Sequence, residues 1–178
     1  MKSKPKKSRF KRREIKSKLA IKENVEIRKE SIKALKTADI ICYYSGYCEK
    51  SYNGKMGFGF IIKDKEGRVL DNLSEGQPKS ASNTRVIAEH VCLSMLLRTL
   101  LSVNTEGKQI LILGNDKLSV MQTKGAYKIT SGMEYSFYAI PNRDMFNILS
   151  SHCDISWIPK DENQEAIKLS AEGASKIV

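Results

Sequence analysis

The run Ile110-Leu111-Ile112-Leu113 constrains this chain most. Four consecutive apolar residues suit a short strand buried on both faces. Asn115 and Asp116 then break the run, and either can cap a helix begun at Lys117. Leu118, Val120 and Met121 predict one or two turns of that helix, closed by Gly125. A buried strand that runs through a polar turn into a helix puts that turn at the strand's carboxyl edge, where α/β sheets keep their chemistry.

The segments around this unit fill in a mixed sheet. Asp39 to Cys48 is a β-rich run, Ser51-Tyr52-Asn53-Gly54 a turn, and Met56 to Ile62 a second strand whose alternating glycines, Gly57 and Gly59, predict close backbone approach. Asp64-Lys65-Glu66-Gly67 turns the chain again into a third strand over 68–76, completing a meander. From Thr84 to Val103 the period changes. Val86, Ile87, Val91, Met95, Leu96 and Leu100 recur at helical spacing, with Asn83 or Thr84 as cap. Glu134 to Ser151 predicts a helix that Pro141 kinks or breaks. Cys153 to Pro159 is a last strand. Glu162 to Val178 is a terminal helix with Ala166, Leu169, Ala171 and Ala174 inward. The order βββ-α-β-α-α-β-α defines an α/β sheet, meander plus parallel strands, with helices packed on it.

Charge divides the chain more sharply than hydropathy does. Residues 1–37 carry fifteen Lys and Arg against four Glu, so they hold the whole net charge of +11, while 38–178 has sixteen of each sign. The expected organisation is a basic arm over 1–37 and a neutral domain over 38–178. Residues 1–13 repel themselves and bury little, which predicts disorder when free. Residues 14–36 predict a helix with a loose stripe at Ile15, Leu19, Val25, Ile32 and Leu35. Lys4, Lys6, Lys7, Arg9, Lys11, Arg12, Arg13, Lys16 and Lys18 are the candidate nucleic-acid-binding residues. The arm is open to three readings: a polyanion-binding tail, a solubilising tail, or a targeting signal of nuclear or mitochondrial type. No apolar run approaches the length of a membrane span, and there is no secretory apolar core. Cys42, Cys48, Cys92 and Cys153 are too scattered for a zinc site and read as free buried thiols. An intracellular, reducing compartment is expected, the cytoplasm before the nucleus or mitochondrion.

Four strings in order resemble the ribonuclease H fold, in the form of the short bacterial, archaeal and plant ribonuclease HI-like proteins. They are Ser45-Gly46-Tyr47-Cys48 with Asn53-Gly54 and Gly57-Phe58-Gly59, then Ala88-Glu89, then Ile112 to Gly125 continuing through Tyr127-Lys128-Ile129, and last Trp157-Ile158-Pro159-Lys160 with Asn163 and Ala166. The resemblance covers roughly residues 39–176 and implies a five-stranded mixed sheet flanked by helices. It also implies a site of four carboxylates holding two Mg²⁺ ions about 4 Å apart. Carried onto this chain, those positions are Ser45, Glu89, Asn115 and Ile167, so three of the four carboxylates are replaced. Glu89 and Asp116 are the acids left to support residual activity. Asp116 is next to Asn115 and should point away from it, and Glu165 falls on the wrong face of the last helix. The family's substrate-binding Asn pair before Ala-Glu corresponds to Arg85 and Val86. His90 reads as a surface or partly buried residue rather than a catalytic base.

Three functions are expected. The first is a catalytically silent ribonuclease H-like module that binds RNA or a ribonucleoprotein, such as a ribosome, through its basic arm, with no metal or other cofactor. The second is a divergent nuclease cleaving the RNA strand of RNA–DNA hybrids with Mg²⁺ or Mn²⁺. The third is a protein-interaction module.

Overall fold

The computed structural model describes residues 7–178, with side chains from Ser17 onward. The elements are α1 (Lys7–Leu35), β1 (Ile40–Cys48), β2 (Met56–Asp64), β3 (Val69–Gln77), α2 (Arg85–Ser102), β4 (Ile110–Gly114), α3 (Lys117–Thr123), α4 (Ser136–Leu149), β5 (Cys153–Trp157), a 3-10 turn (Lys160–Glu162) and α5 (Gln164–Ser175). They form one five-stranded sheet in the order β3-β2-β1-β4-β5. The meander β1-β2-β3 is antiparallel, and β4 and β5 add parallel strands beside β1.

All five residues of β4 are buried, because the strand is interior to the sheet and helices cover both of its faces. Ile110 and Ile112 join the core that holds Cys42, Tyr44, Leu93, Leu96 and Phe146. Leu111 and Leu113 point the other way, into a smaller cluster with Ala38 and Ile158 against which Ala34 and Leu35 of α1 pack. The period-2 alternation of a strand thus feeds two cores from one apolar run. α2 supplies the larger core with the stripe its spacing predicted, and Thr84 caps it by accepting from the Ile87 N–H at 3.2 Å.

Glycines decide how close the helices come. A Cβ at Gly57 or Gly59 would meet the α5 backbone at 1.8 and 2.3 Å, so these two positions let α5 lie directly on β2. Gly46 does the same on the opposite face, where a Cβ would sit 2.2 Å from the backbone of Ala88 and Glu89.

Several expectations are corrected. α4 runs through Pro141 without a break; Pro141 and Phe137, whose carbonyl loses its partner, are both exposed, so solvent can satisfy it. Ala171 faces water, and α5 buries Ser170 and Gly173 instead, the small residues that close contact with β2 and β3 requires. Of the stripe read along α1, Leu35 packs on the smaller cluster while Leu19, Val25 and Ile32 are exposed, and the side chain of Ile15 lies outside the described residues. The helix docks also through Ser31, which is fully buried and 2.5 Å from the Ser156 hydroxyl, and through an Arg28–Glu162 ion pair. Glu23 also receives the Lys117 ammonium at 3.0 Å and the Tyr127 hydroxyl at 2.9 Å. The boundary drawn at 37/38 therefore divides elements that pack together from Glu23 onward. α1 also begins at Lys7, so 7–13 belong to the helix.

Candidate functional site

The site is built at the carboxyl ends of β1 and β4. Tyr44 pairs with Gly114, the last residue of β4, while β1 continues to Cys48. Beyond that pair β1 has no neighbouring strand on this side, and the sheet edge opens into a cleft of about 270 Å³. Ser45 and Ile167, drawn together by the resemblance, both line it, together with Gly46, Ser51, Arg85 and Lys160.

Glu89 lies just inside, on the first turns of α2 and fully buried. Its Oε2 accepts the Gly46 N–H at 2.9 Å, and its Oε1 stands 3.6 Å from an Arg85 guanidinium nitrogen. Burial pushes its carboxyl up to about 8, and the negative charge of Asp116 adds to the rise; the Gly46 N–H and Arg85 oppose it without prevailing. Burial thus biases Glu89 toward its neutral form.

Asn115 is buried and engaged in the fold. Its Oδ1 accepts from the Asn163 side-chain amide at 2.6 Å, and the same Asn163 nitrogen donates to the Tyr44 carbonyl at 2.8 Å. One amide therefore ties the ends of β1 and β4 to the start of α5. The backbone carbonyl of Asn115 accepts from the Trp157 indole at 3.2 Å. Asp116 caps α3 through Oδ2, which accepts the Ser119 N–H at 2.8 Å. Asp116 is turned into the α3 cap, and its negative charge adds to the upward shifts at Glu89 and Tyr44. Glu165 is exposed and pairs with Lys63 at 2.7 Å, away from the cleft.

His90 is fully buried, against the expectation of a surface or partly buried residue. Its Nε2 is 3.1 Å from Gln122 Oε1 and its ring stacks on Tyr135 at 5.6 Å between centroids. Gln122 also donates to the Lys128 carbonyl and the Tyr135 hydroxyl. The Gln122-to-Lys128 string therefore pins the loop after α3 to α2. Burial lowers the basicity of His90, which suits a neutral ring in a packed network.

These side chains do not fit a pair of magnesium ions, which require several anionic oxygens. Ile167 offers no donor and Ser45 only a neutral hydroxyl. The Asn115 oxygen is used by Asn163, and Glu89 is buried against a peptide N–H and a guanidinium. Among the described residues no group of three His, Cys, Asp or Glu is placed to hold a metal ion. Of the candidate arm residues, Lys4 and Lys6 lie outside the described residues. Lys7 to Lys16 lie on the backbone of α1, and Lys18 is exposed. All four cysteines are free and buried, as their scatter suggested. No helix among the described residues is long and apolar enough to cross a membrane.

This architecture is the ribonuclease H fold. No family model and no curated protein matches the sequence, but solved structures do match the fold. The chain is similar to LC11 RNase H1, isolated from compost by a metagenomic approach, at 22% identity and a TM-score of 0.68, over 78% of this chain and 97% of that one. The same enzyme solved with an RNA/DNA hybrid matches at 23% identity and a TM-score of 0.67, over 77% and 97%. RNase H1 of Halobacterium salinarum NRC-1 matches at 18% identity and a TM-score of 0.65, over 77% and 98%. At this identity the likeness is one of fold.

Arg85 was named only as the residue at the family's substrate-binding Asn position and Lys160 only as the end of a matching string; their meeting at one cleft was missed. They are far apart in sequence and neither belongs to a charge cluster, so only the fold brings them together.

Proposed function

We propose that this chain is a nucleic-acid-binding module on a ribonuclease H fold, without two-metal hydrolysis. Its target is RNA or an RNA–DNA hybrid, held chiefly by the basic N-terminal segment, in the setting of a ribosome or other ribonucleoprotein. The observation that carries the reading is the state of the four site positions. A hydroxyl, an isoleucine, an amide already bonded to Asn163 and a carboxyl buried against Arg85 stand where metal chemistry needs free carboxylates. A scaffold outlives its chemistry when the site is replaced and the fold is kept. The charge of residues 1–37 supports the binding half of the proposal, since phosphate neutralisation by Lys and Arg is largely indifferent to sequence.

The test neutralises the arm without removing α1, whose second half is packed on the body. Lys4, Lys6, Lys7, Arg9, Lys11, Arg12, Arg13, Lys16 and Lys18 are replaced by Gln and duplex binding is measured between 50 and 200 mM salt. The affinity should fall by about 100-fold or more, and the salt dependence should flatten by several units of slope. Unchanged affinity and slope would contradict the proposal.

A residual hydrolase through Glu89 and Asp116 is the second reading, favoured by Glu89 keeping a carboxyl at one of the four site positions. It requires hybrid cleavage that Glu89→Gln abolishes.

A further inference from the structure

We infer that the cleft at the end of β1 is a metal-independent phosphate site, in which Arg85 and Lys160 bind a backbone phosphodiester of the nucleic acid. The inference rests on the nucleic-acid reading above and adds to it a second, positioned contact on the neutral body.

Charge is the first argument. The residues lining the cleft include two cations and no carboxylate. The cations come from separate elements. Arg85 is the first residue of α2, and Lys160 opens the 3-10 turn after β5. Lys160 is exposed and makes no ion pair among the described residues. Arg85 is 41% exposed at its side chain, and its one ion contact among the described residues, Glu89 at 3.6 Å, is longer than the ~2.7–2.9 Å of a charge-assisted hydrogen bond. Donors of the guanidinium fork are therefore left for another oxygen.

The second argument is that the fold holds Arg85 in place. The loop between β1 and β2 leans on the start of α2: the Arg85 N–H donates to the Ser51 carbonyl at 3.3 Å, and Tyr52 bridges to Thr84. Asn53 N–H donates to the Asn83 carbonyl at 2.8 Å, and the Asn83 amide returns a bond to Gly54 at 2.8 Å. Lys50, Ser51 and Asn53 in this loop all adopt left-handed backbone, with φ of 57°, 67° and 54°. Such conformations are costly for residues other than glycine and persist where the surroundings over-determine them. Here they hold Ser51 against the base of Arg85. On the other bank, the Lys160 carbonyl accepts from Asn163 N–H at 3.1 Å and from the Gln164 amide at 2.7 Å, which fixes the backbone from which the ammonium extends.

Size is the third. At about 270 Å³ the cleft lies below the ~300–1,000 Å³ usual for small-molecule sites. A phosphate and its ester arms fit within this volume. The hydroxyls of Ser45 and Ser51 line the same space as further donors.

The experiment measures anisotropy of a labelled RNA–DNA hybrid with the full chain, in EDTA and in Mg²⁺, for the wild type, Arg85→Ala/Lys160→Ala and the arm-neutralised variant. Wild-type affinity should be the same with and without the metal. The double variant should bind about tenfold more weakly at 150 mM salt, with a salt slope lower by about one, for the one phosphate no longer neutralised. Arg85→Lys, which keeps the charge and loses the fork, should recover the slope, and Lys160→Ala alone, at an exposed position, should weaken binding by less than the double variant. Wild-type slope and affinity in the double variant, or wild-type binding that disappears in EDTA, would overturn the inference while leaving the arm's role standing. A wild type that binds no nucleic acid would overturn the proposed function and this inference together.

Discussion

Positive charge occurs in this molecule in two forms. Residues 1–18 hold ten Lys and Arg against a single Glu, and α1, which begins at Lys7, is tied to the body at Glu23, Arg28 and Ser31. The cleft at the end of β1 holds two cations, each fixed by a turn that is itself hydrogen-bonded to a neighbour. On the proposed function the first form would serve affinity and electrostatic steering. The second has position without number, and it can set where on the duplex the body rests. A chain that has exchanged carboxylates for neutral side chains can still use the same sheet edge, because the edge offers open backbone ends and two helix starts whatever its chemistry.

The comparison is broken most severely at Gly46. A methyl group there would overlap the backbone of Ala88 and Glu89, which has no flexible end to move aside. Gly46→Ala should destabilise the fold by about 3 kcal/mol in urea melts, and it should disrupt the cleft while leaving the arm's charge intact. Next in size is Glu89. Its carboxyl ionises above about 4.5 in the unfolded chain and about 8 in the folded one, so between these values the native state holds the extra proton. Stability from this residue is full below about pH 4.5 and is lost as pH rises through about 8, at up to ~1.4 kcal/mol per pH unit. Glu89→Gln should flatten that dependence in melts at pH 5 and pH 8; an unchanged slope would mean that burial does not hold the carboxyl neutral. Thr84→Ala removes the cap of α2 and should cost about 1 kcal/mol. It should also weaken hybrid binding, because the capped turn carries Arg85. The smallest effect is expected from Asp116→Asn. It keeps a capping oxygen at α3 and removes a charge that raises Glu89, so an NMR titration of the Glu89 carboxyl should move down toward the ordinary carboxylate range.

Where a signal was local, the sequence carried it. The Ile110–Leu113 run became an interior strand, buried on both faces, and the 3.6-residue spacing from Val86 to Leu100 became α2 with its Thr84 cap. The glycine alternation at 57 and 59 marked the approach of α5. Where the deciding contact was distant, the sequence was silent or misleading. The apolar spacing in α1 pointed to Leu19, Val25 and Ile32, yet these are exposed and Arg28 and Ser31 make contact, because the opposing surface offers Ser156 and Glu162. Ser45, Glu89, Asn115 and Ile167 were visible through the resemblance. The clamp that Asn163 places across Tyr44 and Asn115 was not, and neither was the pairing of Arg85 with Lys160 at one opening. His90 gave no sign of full burial, since its partners Gln122 and Tyr135 lie on other elements.

The most direct measurement incubates the full chain with an RNA–DNA hybrid in Mg²⁺ and in Mn²⁺ and tracks binding and strand length in the same samples. The account predicts a hybrid that is bound and intact in both metals. Cleavage of the RNA strand that vanishes in Glu89→Gln would contradict it.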